Sequence, residues 1–159
     1  MAVESKQGGA NVRFPPPLVF LGLIGLGLVL QFFLRPMRVS YVPWVRFAVG
    51  LPALLAGLLL IAGAVGLFRK SGQDPKPWQP TPELIFDGPY RYTRNPMYVG
   101  MTAITLGIGV CANVFWIPLL AFLGLVVVHF IAVRPEEAYL RAKFGAPYEE
   151  YLRRVRRYL

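Results

Sequence analysis

Four stretches of this chain, 18–34, 47–68, 98–116 and 117–133, each run for 17 to 22 residues without a single Lys, Arg, Asp or Glu. At about 1.5 Å of rise per residue, a helix of that length crosses a hydrocarbon core of about 30 Å. A buried core helix would explain any one of them. Four together, in 159 residues that are 55% hydrophobic and 16% charged, predict an all-α integral membrane protein with four transmembrane helices and a cytoplasmic C-terminal helical segment. Arg35 and Pro36 follow the first run where a cleavage site would need small residues, so that run reads as a span and not as a signal peptide.

The net charge of +9 would suit a nucleic-acid partner, but its placement argues for topology instead. An even number of spans puts the N-terminus, the loop between the second and third spans, and the C-terminal segment on one side. That side holds fourteen of the seventeen Lys and Arg residues, and the other side holds Arg35, Arg38 and Arg46. The positive-inside rule makes the richer side cytoplasmic, termini included, and anionic membrane lipids are its natural partners. No nucleic-acid partner is expected.

Residues 1–16 are polar, rich in Gly and Pro, and read as a loose tail; 17–159 read as one membrane domain. Small residues at four-residue spacing, Ala62 and Gly66 in the second span and Ala103, Gly107 and Cys111 in the third, predict faces where helices approach closely. The loop 69–97 carries Pro75, Pro77, Pro80 and Pro82, which stiffen it, and its length points to function. Beyond Val133, Pro135 suits the start of a cytoplasmic helix with Glu136 and Glu137 at its positive end, and Gly145 ends it. A last helix with Tyr148, Leu152, Val155 and Leu159 on one face completes helices over 135–159 and reads as a lid on the bilayer surface.

The segment 88–100, GPYRYTRNPMYVG, carries the chemistry. Gly88 and Pro89 signal a turn, Asn95 can cap a helix, and Pro96 suits its first position. A helix start with unpaired N–H groups, beside Tyr90, Arg91, Tyr92 and Arg94, is a ready place for an anionic group. Other templates are missing. Cys111 is the one cysteine and His129 the one histidine, no HExxH motif or phosphate loop occurs, and no metal site is expected. His129 lies seven residues before Glu136, on the same helical face unless Pro135 breaks the helix; with Arg134 it is a candidate substrate contact. Glu136 and Glu137 could bind an ammonium or orient an acceptor, or could simply complement the helix dipole.

GPYRYTRNPMYVG followed by EEAYLRAKFGAPYEEYLRRV resembles the paired C-terminal signature of the integral-membrane methyltransferases that include isoprenylcysteine carboxyl methyltransferases and phosphatidylethanolamine N-methyltransferases. The resemblance covers about residues 80–157. It implies S-adenosylmethionine as cofactor, held at the cytosolic face by Pro82, Glu83, Leu84 and Ile85 in the loop, by Tyr90, Asn95, Pro96, Met97, Tyr98 and Gly100 around the third span's start, and by Glu136. It implies methyl transfer to a lipid-like or amphipathic acceptor, of phospholipid or isoprenylcysteine type, entering from the bilayer. Asn95 stands where many members have histidine. Ala132 stands where the carboxyl-methylating branch has an arginine for the substrate carboxylate. Glu137 is the candidate base should an amine acceptor need one. Two other readings stay open: a non-catalytic membrane scaffold with a lipid-binding tail, and a nicotinamide-dependent reductase relative.

Overall fold

The computed structural model describes residues 8–12, 14–34 and 37–159. Regular structure among them is helical throughout: α1 (Pro16–Phe33), α2 (Pro43–Lys70), a 3-10 turn (Gly88–Arg91), α3 (Pro96–Ala112), α4 (Trp116–Val128), a π-helical turn (His129–Val133), α5 (Arg134–Phe144) and α6 (Ala146–Arg154). Four α-helices, α1, α2, α3 and α6, carry proline at one of their first two positions, where a missing N–H forfeits no intrahelical bond. Three described helices are long and apolar enough to cross a membrane: α1, α2 and the continuous helix Trp116–Phe144. The third expected span is shorter than its apolar run. Asn113 adopts the left-handed conformation with φ 60° and stops α3 at Ala112.

α3 lies along α2. A Cβ on Gly57 would sit 2.5 Å from the Gly100 carbonyl oxygen, and one on Gly107 would sit 2.7 Å from that of Gly50. The contact face of α2 is therefore Gly50, Gly57 and Ala64, two turns apart, and not the expected Ala62 and Gly66; Ala62 is exposed and Gly66 has open space beside it. Gly107 and Cys111 of α3 do face α2, as their spacing suggested. α1 and α4 pair in the same way, with Gly27 against Ile117 and Gly124 against Phe20 and Leu23.

The connections sort into two ends. At one, Asn113 Oδ1 accepts from the N–H groups of Val39 (2.9 Å) and Ser40 (3.1 Å), tying the α3–α4 turn to the α1–α2 loop. Replacing Asn113 with Ala strands both donors and loses a residue type that tolerates the left-handed conformation, so the thermal midpoint in detergent should fall by the equivalent of about 1–3 kcal/mol. Asn113→Gly, which keeps the backbone, should lose less. At the other end gather the N-terminal segment, the α2–α3 loop and α5–α6. There Ala10 N–H donates to the Pro77 carbonyl (2.8 Å) and Thr81 N–H to the Tyr139 hydroxyl (3.3 Å). Ala10 and Val12, inside the tail expected to be loose, are buried against the core around Phe20, Tyr98 and Val128; residues 1–7 and 13 lie outside the described residues.

Two features of the C-terminal third differ from expectation. Pro135 does not break the helix. The π-helical turn puts the Arg134 N–H on the His129 carbonyl, five residues back, and this wider register absorbs a residue that cannot donate and would crowd the carbonyl four residues before it. The final helix, expected to run to Leu159, ends at Arg154. Val155 turns extended (φ −117°, ψ 133°), and the chain folds back toward the start of α3.

Candidate functional site

A cleft with about 650 Å³ of space between atoms, partly open to solvent, lies where the α2–α3 loop, the start of α3 and the pair α5–α6 converge. Thr81, Glu83, Leu84 and Ile85 form the loop wall; Asn95, Pro96, Met97 and Tyr98 form the helix-start wall; Glu136, Glu137, Leu140, Tyr148 and Tyr151 form the third, with Phe68, Tyr90 and Arg94 between them.

Each wall has a local cause. The 3-10 turn Gly88–Arg91, entered through Gly88 at φ 56°, buries Tyr90 edge-on against Phe68 with ring centroids 6.1 Å apart. The Tyr151 hydroxyl then donates to the Tyr90 carbonyl at 2.7 Å, locking α6 onto the turn. Burial pushes the phenols of Tyr90, Tyr148 and Tyr151 up, which keeps them protonated and able to donate. At the start of α3, Asn95 makes no side-chain cap, contrary to expectation. Its own N–H is taken by Thr93 Oγ1 (3.2 Å), and its amide nitrogen donates to the Arg157 carbonyl (2.9 Å). Met97, the second helical residue, has an N–H with no acceptor available inside the helix.

The adjacent glutamates have separate surroundings. Glu136 accepts from the Tyr98 hydroxyl through Oε2 at 2.9 Å and lines the cleft. Glu137, 7% exposed, is gripped by Arg157, whose Nε and Nη2 donate to Oε1 and Oε2 at 2.9 and 2.8 Å; Arg94 Nη1 lies 3.5 Å from Oε1. Arg94 is 11% exposed, and its buried Nε has no partner among the described residues.

The cleft brings together Glu83, Leu84, Ile85, Tyr90, Asn95, Pro96, Met97, Tyr98 and Glu136 of the cofactor set drawn from the sequence. Pro82 is in the same loop without lining the cleft. Gly100 faces away from it: a Cβ there would meet Ile61 Cγ1 at 2.7 Å and the Gly57 carbonyl oxygen at 2.8 Å, so its smallness serves the α2 contact. Of the flanking residues, Tyr92 is 77% exposed and Arg91 pairs outward with Asp87 at 2.6 Å. The two candidate substrate contacts also lie off the lining. Arg134 is exposed, its guanidinium 5.7 Å from the Phe130 ring centroid, and His129 Nδ1 is 2.8 Å from the Tyr158 hydroxyl. Arg94, expected beside the helix start, does line the cleft, whereas sequence reasoning left out Phe68, Thr81, Leu140, Tyr148 and Tyr151. Tyr148 and Tyr151, three apart on α6, carried a signal in that spacing; Phe68 looked only like the end of a span.

The donor set suits a zwitterionic, flat-ringed molecule. Glu136 has Oε1 free for an ammonium, the open Met97 N–H at the positive end of α3 suits a carboxylate, and the tyrosines and Phe68 offer faces for a planar ring or a sulfonium.

The phospholipid methyltransferase family model matches residues 45–147. A protein-S-isoprenylcysteine O-methyltransferase of Schizosaccharomyces pombe (strain 972 / ATCC 24843) is 39% identical over 72 residues, which are 45% of this chain and 30% of that protein. The match thus spans under a third of that relative's length. No solved structure matches.

Proposed function

Since the chain belongs to the phospholipid methyltransferase family, we propose that its cleft binds S-adenosylmethionine and directs methyl transfer to an amphipathic acceptor at the cytoplasmic face of a membrane. The observation that carries this reading is the Glu136 carboxylate, set by Tyr98 and facing the open helix start of α3 across one cleft. The chain is a membrane protein. We take α3 as a fourth crossing, because it accompanies α2 from Gly100 against Gly57 to Cys111 against Gly50. The end that gathers the cleft and the larger share of Lys and Arg is then cytoplasmic.

When bound, the cofactor supplies an electrophilic methyl group on a sulfonium. Glu136 holds the ammonium of its amino-acid part, and the Met97 N–H at the positive end of α3 receives its carboxylate. Tyr90 and Phe68 offer the apolar wall against which the adenine packs. Arg94 adds a cation inside the cleft, where neither Ala132, buried in the core, nor the outward Arg134 provides one. Glu137 is not the base in this account. Both of its oxygens are engaged by guanidinium groups, and its role is to hold the chain together around the site. Rate enhancement then comes from alignment of acceptor and donor in the cleft.

The test is transfer of labelled methyl from S-adenosylmethionine by the purified protein in liposomes, offered a total lipid extract and prenylcysteine analogues in parallel. One labelled product class is expected, and its headgroup names the acceptor. Cofactor binding without any labelled product would favour a non-catalytic scaffold.

A further inference from the structure

We infer that Arg157 is a positioning residue for the cofactor cleft, acting through an extended strap, Val155–Leu159, that ties the start of α3 to α5. The inference rests on the cofactor reading above and concerns residues beyond the 45–147 that match the family model.

Past α6 the chain has no helical bonds of its own to make, and its polar groups go to the cleft's flanks. The Arg156 carbonyl accepts from Arg94 N–H at 3.0 Å. The Arg157 carbonyl accepts from both Thr93 Oγ1 (3.2 Å) and Asn95 Nδ2 (2.9 Å). The Arg157 guanidinium takes both oxygens of Glu137, and the Tyr158 hydroxyl meets His129 Nδ1 at 2.8 Å. Three consecutive residues thus bridge the loop before α3, the start of α5 and the π-helical turn.

The anchored residues adjoin those proposed to hold the cofactor. Asn95 immediately precedes Pro96–Tyr98, and Glu137 immediately follows Glu136. Between these walls the direct polar links are Tyr98 to Glu136 at 2.9 Å and Arg94 to Glu137 at 3.5 Å. Without the Arg157 side chain, Glu137 keeps one long contact for a nearly buried charge, and the cheapest remedy is for Glu137 and Arg94 to close on each other. That shift drags the residue next to Asn95 in one wall and the residue next to Glu136 in the other. A fork of two parallel bonds fixes orientation as well as charge, which a lysine at this position would supply only in part.

The test measures dissociation constants for S-adenosylhomocysteine by titration calorimetry, with the cofactor-free melting temperature of each variant beside them. Arg157→Gln should weaken binding about tenfold, and Arg157→Lys should recover part of the loss. Glu137→Gln combined with Arg157→Gln removes both charges, so it remains informative should the single Gln variant fail to fold. It should stay weakened, because the fork is still missing. Wild-type affinity in that double variant, or in Arg157→Gln, would overturn the inference while leaving the cofactor reading standing. A fall in melting temperature with unchanged affinity would do the same, assigning Arg157 to stability alone. Absence of binding by the wild type would remove both readings.

Discussion

Glu136→Gln weakens the binding of S-adenosylhomocysteine by about 10- to 100-fold in this account, without lowering the melting temperature of the cofactor-free protein. The substitution keeps the size of the side chain and an oxygen for the Tyr98 hydroxyl, which now donates to Oε2 at 2.9 Å, and deletes only the charge. A hydrogen bond to a charged group contributes about 1.5–3 kcal/mol, and each 1.4 kcal/mol is about tenfold in affinity. Stability should hold because Glu136, unlike its neighbour Glu137, has no guanidinium among its described partners, so neutralising it leaves no cation stranded. Titration calorimetry and a thermal melt on the same preparation check both halves. An equal loss of melting temperature would mean that the carboxylate serves the fold. Unchanged affinity would mean that the ammonium is held elsewhere.

The second large effect belongs to the α2–α3 seam. Gly57→Leu and Gly100→Leu should each destabilise the protein by at least about 3 kcal/mol and yield little folded material. A Cβ on Gly57 would meet the Gly100 carbonyl oxygen at 2.5 Å and the Ile104 N at 2.9 Å, and backbone atoms cannot rotate aside as a side chain can. Gly66→Leu, with open space at that position, is the matched control and should fold normally. Thermal unfolding in detergent distinguishes the three. The Gly100 result also separates two roles for that residue. A cofactor contact would spare the melting temperature and cost affinity, whereas the helix contact does the reverse. Movement of α3 would carry Pro96–Tyr98 with it, so the seam is also what holds one wall of the cleft in place.

Much of this was legible in the sequence because it is local. Charge-free runs announce apolar helices, and Gly88, Pro89, Asn95 and Pro96 announce a turn entering a helix, whatever they pack against. The motif likewise selected nine residues that share the cleft. What escaped depends on partners distant in the chain. A pattern of small residues marks α2 as a packing helix, but which face is used depends on where α3 lies, so Gly50 and Gly57 were passed over in favour of Ala62 and Gly66. Asn95 has the chemistry of a cap, yet its amide serves a carbonyl 62 residues away. Glu137 looks like a free carboxylate beside Glu136 until Arg157, twenty residues on, folds back to grip it. The periodicity that carried the last helix to Leu159 could not register that Arg156 and Arg157 have better acceptors and donors to meet at the start of α3 than in another helical turn. Whether Pro135 breaks the helix was left open by the sequence, and the π-helical turn, whose hydrogen bond reaches five residues back in place of four, shows how the helix continues.

The central claim is that S-adenosylmethionine binds between the start of α3 and α5–α6. Ultraviolet crosslinking of labelled S-adenosylmethionine to the wild-type protein in liposomes, followed by peptide mapping, tests it most directly. Label on peptides covering 81–98 or 136–151, suppressed by excess S-adenosylhomocysteine, is the predicted result. Label confined to α1 or to the Asn113 end of the bundle, or label that excess S-adenosylhomocysteine does not suppress, would contradict it.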